Sequence, residues 1–516
     1  MKKWQVKLLL GLGIILLMLT AWFLSSSIRS KNAVERYKAQ LRAAGEKLSV
    51  DDLIPPHPNP EKNGVLFFDD ACRYMNSSAG VLQSNAPPVM RMIAPGKAMV
   101  GWQQNEIVSV YDSNPVTNTW DDIEKALSDQ GPAFSLLQQA AGRPELNFDW
   151  NYRAYPNLSF AHLMKLKGAA LILSPAVSYN LHLGDTAASV NNLHTLLALE
   201  DAWQDEPTLI SQLVRIAMTG IAFGAQWEVL QATNVTDSEL SMLQRDWEMM
   251  EFVRPMEKSL IMERDWGYIM IERLRGSNSP SAASVMFPSS GTGGGGSSSL
   301  SDEFKMMGGA ARRKTADTLW RVSWSYSDEL LVLKAEQAMI KAVRQISTNG
   351  FFRDAQLELD HTISAIGVNR ASESWLRNTV DHEIWSSLVE PIGSLDKTIN
   401  RMLAAEVTRE MVLTAIAVKR YQLRLGSLPK DLPALVPEFL SEIPRDPVDG
   451  KSLRYRTNWE GTFLLYSVGE DGNDNGGDAT PPGPTKTFYW LRGRDWVWPQ
   501  PATAQEVQFY YDHPPK

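Results

Sequence analysis

The chain has 516 residues, 44% apolar and 21% charged, enough for two or three domains with substantial cores and too apolar for wholesale disorder. Its formal net charge of −8 and pI near 5.6 argue against a nucleic-acid partner, which requires a basic surface to neutralise phosphates. A single cysteine, Cys72, excludes an intramolecular disulfide and leaves no Cys/His spacing for zinc.

Lys2, Lys3 and Lys7 precede an uncharged run from Leu8 to Leu24, close to the shortest length that crosses a bilayer as a helix. Trp4 and Trp22-Phe23 fall near its ends, where aromatic anchors sit. Residues 1–30 are therefore expected to form a transmembrane anchor, a signal peptide cleaved near Ser25–Ser30 being the alternative. Arg29, Lys31, Arg36 and Lys38 place positive charge beyond the span as well. A short basic tail before a first span ordinarily stays inside, which puts the bulk of the chain outside the cytoplasm.

Residues 31–156 are expected to hold a charged amphipathic helix over 31–53, a proline-rich stop and a mixed region. The stop is Ile54-Pro55-Pro56-His57-Pro58-Asn59-Pro60, where proline at alternate positions forbids helix. The stretch from Leu41 through this run resembles juxtamembrane parts of uncharacterised bacterial envelope proteins.

Residues 157–400 read as long helices joined by short turns. Leu209, Leu213, Ile216, Gly220, Phe223, Trp227 and Leu230 form one helical stripe by their spacing of threes and fours. Thr236 and Glu239 have the spacing of a capping box. Helix, tight turn and helix in succession suggest an array of helical hairpins, without a fixed repeat period. The Gly/Ser tract 289–299 reads as a loop or linker. Trp203, Trp227, Trp247, Trp266, Trp320, Trp324, Trp375 and Trp385 are expected on helices, where packing between helices is a simpler role than a ligand-binding wall.

A search for chemistry yields little. The seven histidines form no H-x-x-x-H, and neither G-x-S-x-G nor a phosphate-cradling glycine motif is present. Asp360-His361 and Asp381-His382-Glu383 are sequence neighbours, but adjacent helical residues point about 100° apart and do not converge. Carboxylate pairs such as Glu248/Glu251 and Glu263/Asp265 fit a wet surface as well as a catalytic pair. Cys72 has no histidine near it in sequence and reads as a small buried hydrophobe.

Residues 401–516 are more informative. Leu403, Val407, Met411, Thr414, Val418, Tyr421 and Leu425 make an apolar stripe that ends at Gly426, a helix C-terminal glycine. Lys451–Arg456 and Thr462–Ser467 read as strands of a hairpin turning at Asn458–Gly461, with a third strand-like run over Thr485–Leu491. Between them Gly469–Asp478 crowds Glu470, Asp471, Asp474 and Asp478 beside Asn473 and Asn475. Such crowding is repulsive alone and becomes a site with Ca²⁺, which takes six to eight oxygens. Asp471, Asn473, Asn475 and Gly476 match the opening of an EF-hand loop. Pro482 occupies its twelfth position and strands replace its helices, so a solvated Asn/Gly/Asp turn remains the alternative.

Tyr421 to Pro429, Ile443 to Pro447, Leu453-Arg454-Tyr455 and Tyr466 to Gly472 occur in the order of a known series. Together, across about 404–491, they resemble the globular end of the major pseudopilin of type II secretion systems. The resemblance implies a helix packed on a small antiparallel sheet and closed by a calcium loop. It implies Asp471 and Asp478 as ligands and a backbone carbonyl from Val468, while the crowding of oxygens itself leads to an expected contribution from Asn473, Asp474 or Asn475. The family's G-F-T-L-x-E start is absent, and roughly 380 residues separate the two apolar helices that the family joins directly, which puts pseudopilus assembly in doubt.

The expected fold is mainly α: an N-terminal membrane helix, an array of helical hairpins, and a small C-terminal α+β module with an antiparallel sheet. The function implied is a calcium-stabilised scaffold or interaction protein in the bacterial inner membrane, its bulk extracytoplasmic and its partners in the envelope, with secretion or pilus machinery as the candidates. An extracytoplasmic enzyme, a hydrolase with its site between helical hairpins, is the alternative.

Overall fold

The computed structural model describes residues 3–75, 82, 89–108, 117–276, 318, 320–366, 396–458, 461–485 and 487–513. The Gly/Ser tract 289–299 and Asp381-His382-Glu383 lie outside them.

Helix α1 (Lys3–Ala43) runs unbroken for 41 residues. Leu10, Ile14 and Met18 in its first half are exposed, while Val34, Lys38 and Leu41 near its end are buried. The helix expected over 31–53 stops earlier. Gly45 takes φ +84°, the Gly45 N–H returns to the Arg42 carbonyl and the Glu46 N–H to that of Leu41. This paired closure satisfies carbonyls at the helix end and requires a left-handed residue, which glycine supplies without strain.

The mixed region contains α2 (Val65–Tyr74), β1 (Arg91–Ala94), β2 (Lys97–Met99), β3 (Ile107–Val108), β4 (Thr117–Asn118), α3 (Trp120–Ser128) and α4 (Gly131–Ala141). The helical series follows as α5 (Ala161–His182), α6 (Thr186–Asp201), α7 (Leu209–Gln231), α8 (Asp237–Met249) and α9 (Val253–Gly276). Asp185 caps α6 by accepting the Ala188 N–H at 2.9 Å, and Thr236 and Glu239 form the expected box at the start of α8. Beyond lie α10 (Ser325–Asn349), packed along α9, and α11 (Arg353–Ile366), packed on α10. Helix α12 (Asp396–Leu425) lies against α7 and α8 and ends at Gly426, whose φ is +74°.

The fold is thus mostly helical. Helix α7 is long and apolar enough to cross a membrane, but it packs among α5, α6, α9 and α12 as a core helix. Its expected stripe is buried only in part. Phe223, Trp227 and Leu230 are inside, Leu213 and Ile216 are half-buried, and Gly220 is exposed. Gln212, Arg215 and Thr219 are buried on the other side, where Arg215 bonds the Gln212 side chain and the Glu251 carbonyl. Helices on more than one side enclose α7, so a polar face can be buried wherever it finds partners. Trp227, Trp247, Trp266 and Trp320 are buried on helices, Trp203 is buried in the turn after α6 rather than on a helix, Trp324 is half-buried, and Trp375 and Trp385 lie outside the described residues.

In the C-terminal region β5 (Arg454–Thr457) and β6 (Phe463–Ser467) pair antiparallel, with Arg454 opposite Tyr466. The third strand is not Thr485–Leu491. It is β7 (Trp496–Val497), which pairs antiparallel with β6. Trp490 instead starts a single 3-10 turn and stacks on Phe223 of α7, ring centroids 4.6 Å apart, so aromatic packing takes this run off the sheet. β8 (Gln500–Pro501) then joins β1 and β2 by pairing parallel with β2, and α13 (Ala504–Asp512) follows. Trp227 donates its indole N–H to the Pro499 carbonyl at 2.9 Å. Among the described residues one core runs from Val50 to Trp498 and includes Leu465, Val468 and Trp496 of the C-terminal sheet.

Candidate functional site

The acidic loop leaves the end of β6 over a buried carboxylate. Asp446 accepts the Ser467 hydroxyl at 2.8 Å, the Val468 N–H at 3.0 Å and Arg454 Nη1 at 2.6 Å. Gly469 then turns with φ +70°.

Of the side chains expected to bind a cation, Asp471, Asp474, Asn475 and Asp478 have local hydrogen bonds, and Asn473 takes part through its backbone. Asp471 accepts the Asn473 N–H at 2.8 Å, and the Asn475 side chain donates to the Asn473 carbonyl at 2.9 Å. Asp474 accepts the Gly476 N–H at 2.9 Å and the Tyr466 hydroxyl at 3.0 Å, with Arg454 Nε 3.5 Å away. Asp478 accepts the Thr480 N–H at 2.9 Å and Arg494 Nη1 at 3.2 Å. The Gly476 N–H holds the Asp474 carboxyl below its ordinary range, and the Thr480 N–H does the same for Asp478.

What organises the loop is a residue outside it. Asp495, fully buried, accepts the N–H groups of Asn475 at 3.1 Å, Gly477 at 2.6 Å and Asp478 at 3.2 Å. The loop wraps its amides around this carboxylate and turns its own carboxylates outward, toward local amides and arginines. Nothing in sequence marks Asp495, one aspartate seventeen residues after Asp478. Among the described residues no group of three or more His, Cys, Asp or Glu side chains is placed to hold a metal ion. As placed, Asp471, Asp474 and Asp478 do not form a calcium cage.

Other groups with chemical potential are scattered. His194 of α6 bonds Asp246 of α8 through Nδ1 at 2.7 Å, and this bond raises its pKa. No hydroxyl or thiol joins the pair among the described residues. Burial pushes the half-buried Cys72 thiol up to about 11, so it stays protonated at neutral pH. Asp360 and His361 are exposed on α11. Glu248 and Glu251 line a cavity of about 460 Å³ together with Glu406 and Glu410 of α12. Burial raises Glu406 and pushes Glu410 up to about 7, against the opposing pull of the Arg409 guanidinium, whose Nη1 donates to Glu410 at 2.7 Å. Glu406 and Glu410 are spaced by four within an apolar stripe, a signal present in the sequence.

No family model matches the chain, and neither a curated protein nor a solved structure does.

Proposed function

We propose that this protein is a membrane-anchored scaffold or interaction protein whose bulk lies outside the cytoplasm. The observation that carries the reading is the division of α1. Its first half is apolar and presents Leu10, Ile14 and Met18 outward at 62%, 56% and 60% exposure. Its last turns are clamped into the body, where Lys38 pairs with Glu272 at 2.7 Å and with the buried Glu329. An apolar half-helix rigidly continuous with a folded body is stable in hydrocarbon and costly in water. The protein should therefore resist carbonate extraction from membranes. In intact spheroplasts protease should degrade its C-terminal region. Protection of that region would overturn the orientation, and release by carbonate the anchor.

The C-terminal α+β region serves in this reading as a pseudopilin-like module facing envelope partners. Calcium binding at Asp471 and Asp478 belongs to the same reading and rests on the crowding of acidic side chains, which would have to turn toward a common centre. Extracellular calcium modules bind at about 10⁻⁴–10⁻³ M, so millimolar calcium would add roughly 0.4–1.4 kcal/mol. Melting of the full chain with calcium against chelator tests this, with Asp471→Ala/Asp478→Ala abolishing any difference. Indifference of the wild-type chain would leave the loop as a turn organised by Asp495.

A further inference from the structure

Between α7, α12 and the stretch that leads into β7 lies an open cleft of about 690 Å³, within the ~300–1,000 Å³ of small-molecule sites. Its floor is the part of the α7 stripe that the fold leaves uncovered, Leu213, Ile216 and Gly220, facing Ala404 and Ala405 of α12. Tyr489, Leu491 and Trp496 add apolar lining from the stretch that leads into β7. The rim is cationic. Arg401 projects from the second turn of α12 and Arg492 from the opposite lip, both exposed. Glu470 is the one carboxylate among the described lining residues, and the Asn400 amide donates to it at 2.9 Å.

An apolar floor beside two exposed guanidiniums, in a chain of net charge −8, selects a ligand with an apolar body and an anionic head. Tyr489 is 48% exposed and the α7 stripe half-buried, so apolar surface remains to be covered. The cleft is lined by α7, α12 and the stretch before β7, and its ~690 Å³ suits a small amphiphile. We infer that this cleft binds a free single-chain anionic amphiphile, its acyl chain lying along Leu213, Ile216 and Gly220 and its carboxylate or phosphate between Arg401 and Arg492. A guanidinium on each lip suits a planar or tetrahedral oxyanion, to which it donates in a fork.

The test uses the full chain in neutral phosphatidylcholine nanodiscs, titrated calorimetrically with octanoate, octyl phosphate and octyltrimethylammonium against empty nanodiscs. Both anions should bind at least about tenfold more tightly than the cation. Arg401→Glu/Arg492→Glu should reverse that order. Gly220→Phe should abolish binding of all three with the melting temperature kept, because a Cβ at Gly220 meets nothing within 4 Å and the ring would fill the cleft. Equal affinity for the three probes would overturn the inference, as would octanoate binding unchanged in Gly220→Phe. Adsorption to anionic vesicles without binding of the free anions would replace it with a membrane-surface role.

Discussion

Glu46 and Arg344, 298 residues apart, meet in a two-pronged ion pair in which Nη2 lies 3.1 Å from Oε2 and Nη1 closes on Oε1. Gln337 Nε2 adds a bond at 2.9 Å and the fully buried Arg264 a contact at 3.2 Å. Glu46 directly follows the turn that ends α1, so these bonds fix the exit of the tether against α9 and α10.

Glu46→Ala should therefore destabilise the full chain by about 3 kcal/mol, since it leaves Arg264 buried with less compensation. Chemical denaturation reads this directly. Burial alone would raise the Glu46 carboxyl, but the bonds from Arg344, Gln337 and Arg264 outweigh it and hold the pKa down at about 2. The folded value lies below the ordinary 4.5, so the stabilisation is present above pH 4.5 and is lost as pH falls toward about 2. Glu46→Gln should flatten the stability profile across that window. An unchanged acid limb would show that other carboxylates dominate it.

Asp495→Ala should cost about 2–3 kcal/mol, because the amides of Asn475, Gly477 and Asp478 lose their common acceptor. Hydrogen exchange of these amides should accelerate while β5 and β6 stay protected. Asp471→Ala, on the exposed rim, should stay within about 0.5 kcal/mol without calcium. Equal effects of the two substitutions would contradict the organising role of Asp495.

Gly469 combines φ +70° with a close approach, since a Cβ there would lie 2.6 Å from the Arg494 carbonyl oxygen. Gly469→Ala should lower stability by about 2–3 kcal/mol. Gly476 has φ +74° but open space around it, so Gly476→Ala should cost only about 1 kcal/mol of backbone strain. Thermal melts of both variants separate the contact from the strain.

Trp227→Phe removes the indole bond to Pro499 and should cost about 1–2 kcal/mol. The loss falls where the chain leaves β7 for β8, so limited proteolysis should release α13 sooner than in the parent chain. Unchanged cleavage kinetics would place the hold on this segment elsewhere, in the pairing of β8 with β2.

Features carried by neighbouring residues were legible in the sequence. The capping box of Thr236 and Glu239, the end of α12 at Gly426 and the β5–β6 hairpin each depend on side chains within a few positions of the groups they serve. Periodicity placed α7 correctly, since a helix repeats its face every three to four residues whatever surrounds it. Which part of that face would be covered was decided by packing. Trp490 stacks on Phe223, leaves Leu213 to Gly220 lining a cleft, and passes the third strand to Trp496–Val497. The acidic loop divides in the same way: its composition drew attention to Asp471 and Asp478, but its shape comes from Asp495, which only the folded chain brings beneath the loop's amides. A buried carboxylate's partner can come from any distance along the chain, so one-dimensional spacing holds no trace of it, whereas caps and stripes are written within a single turn.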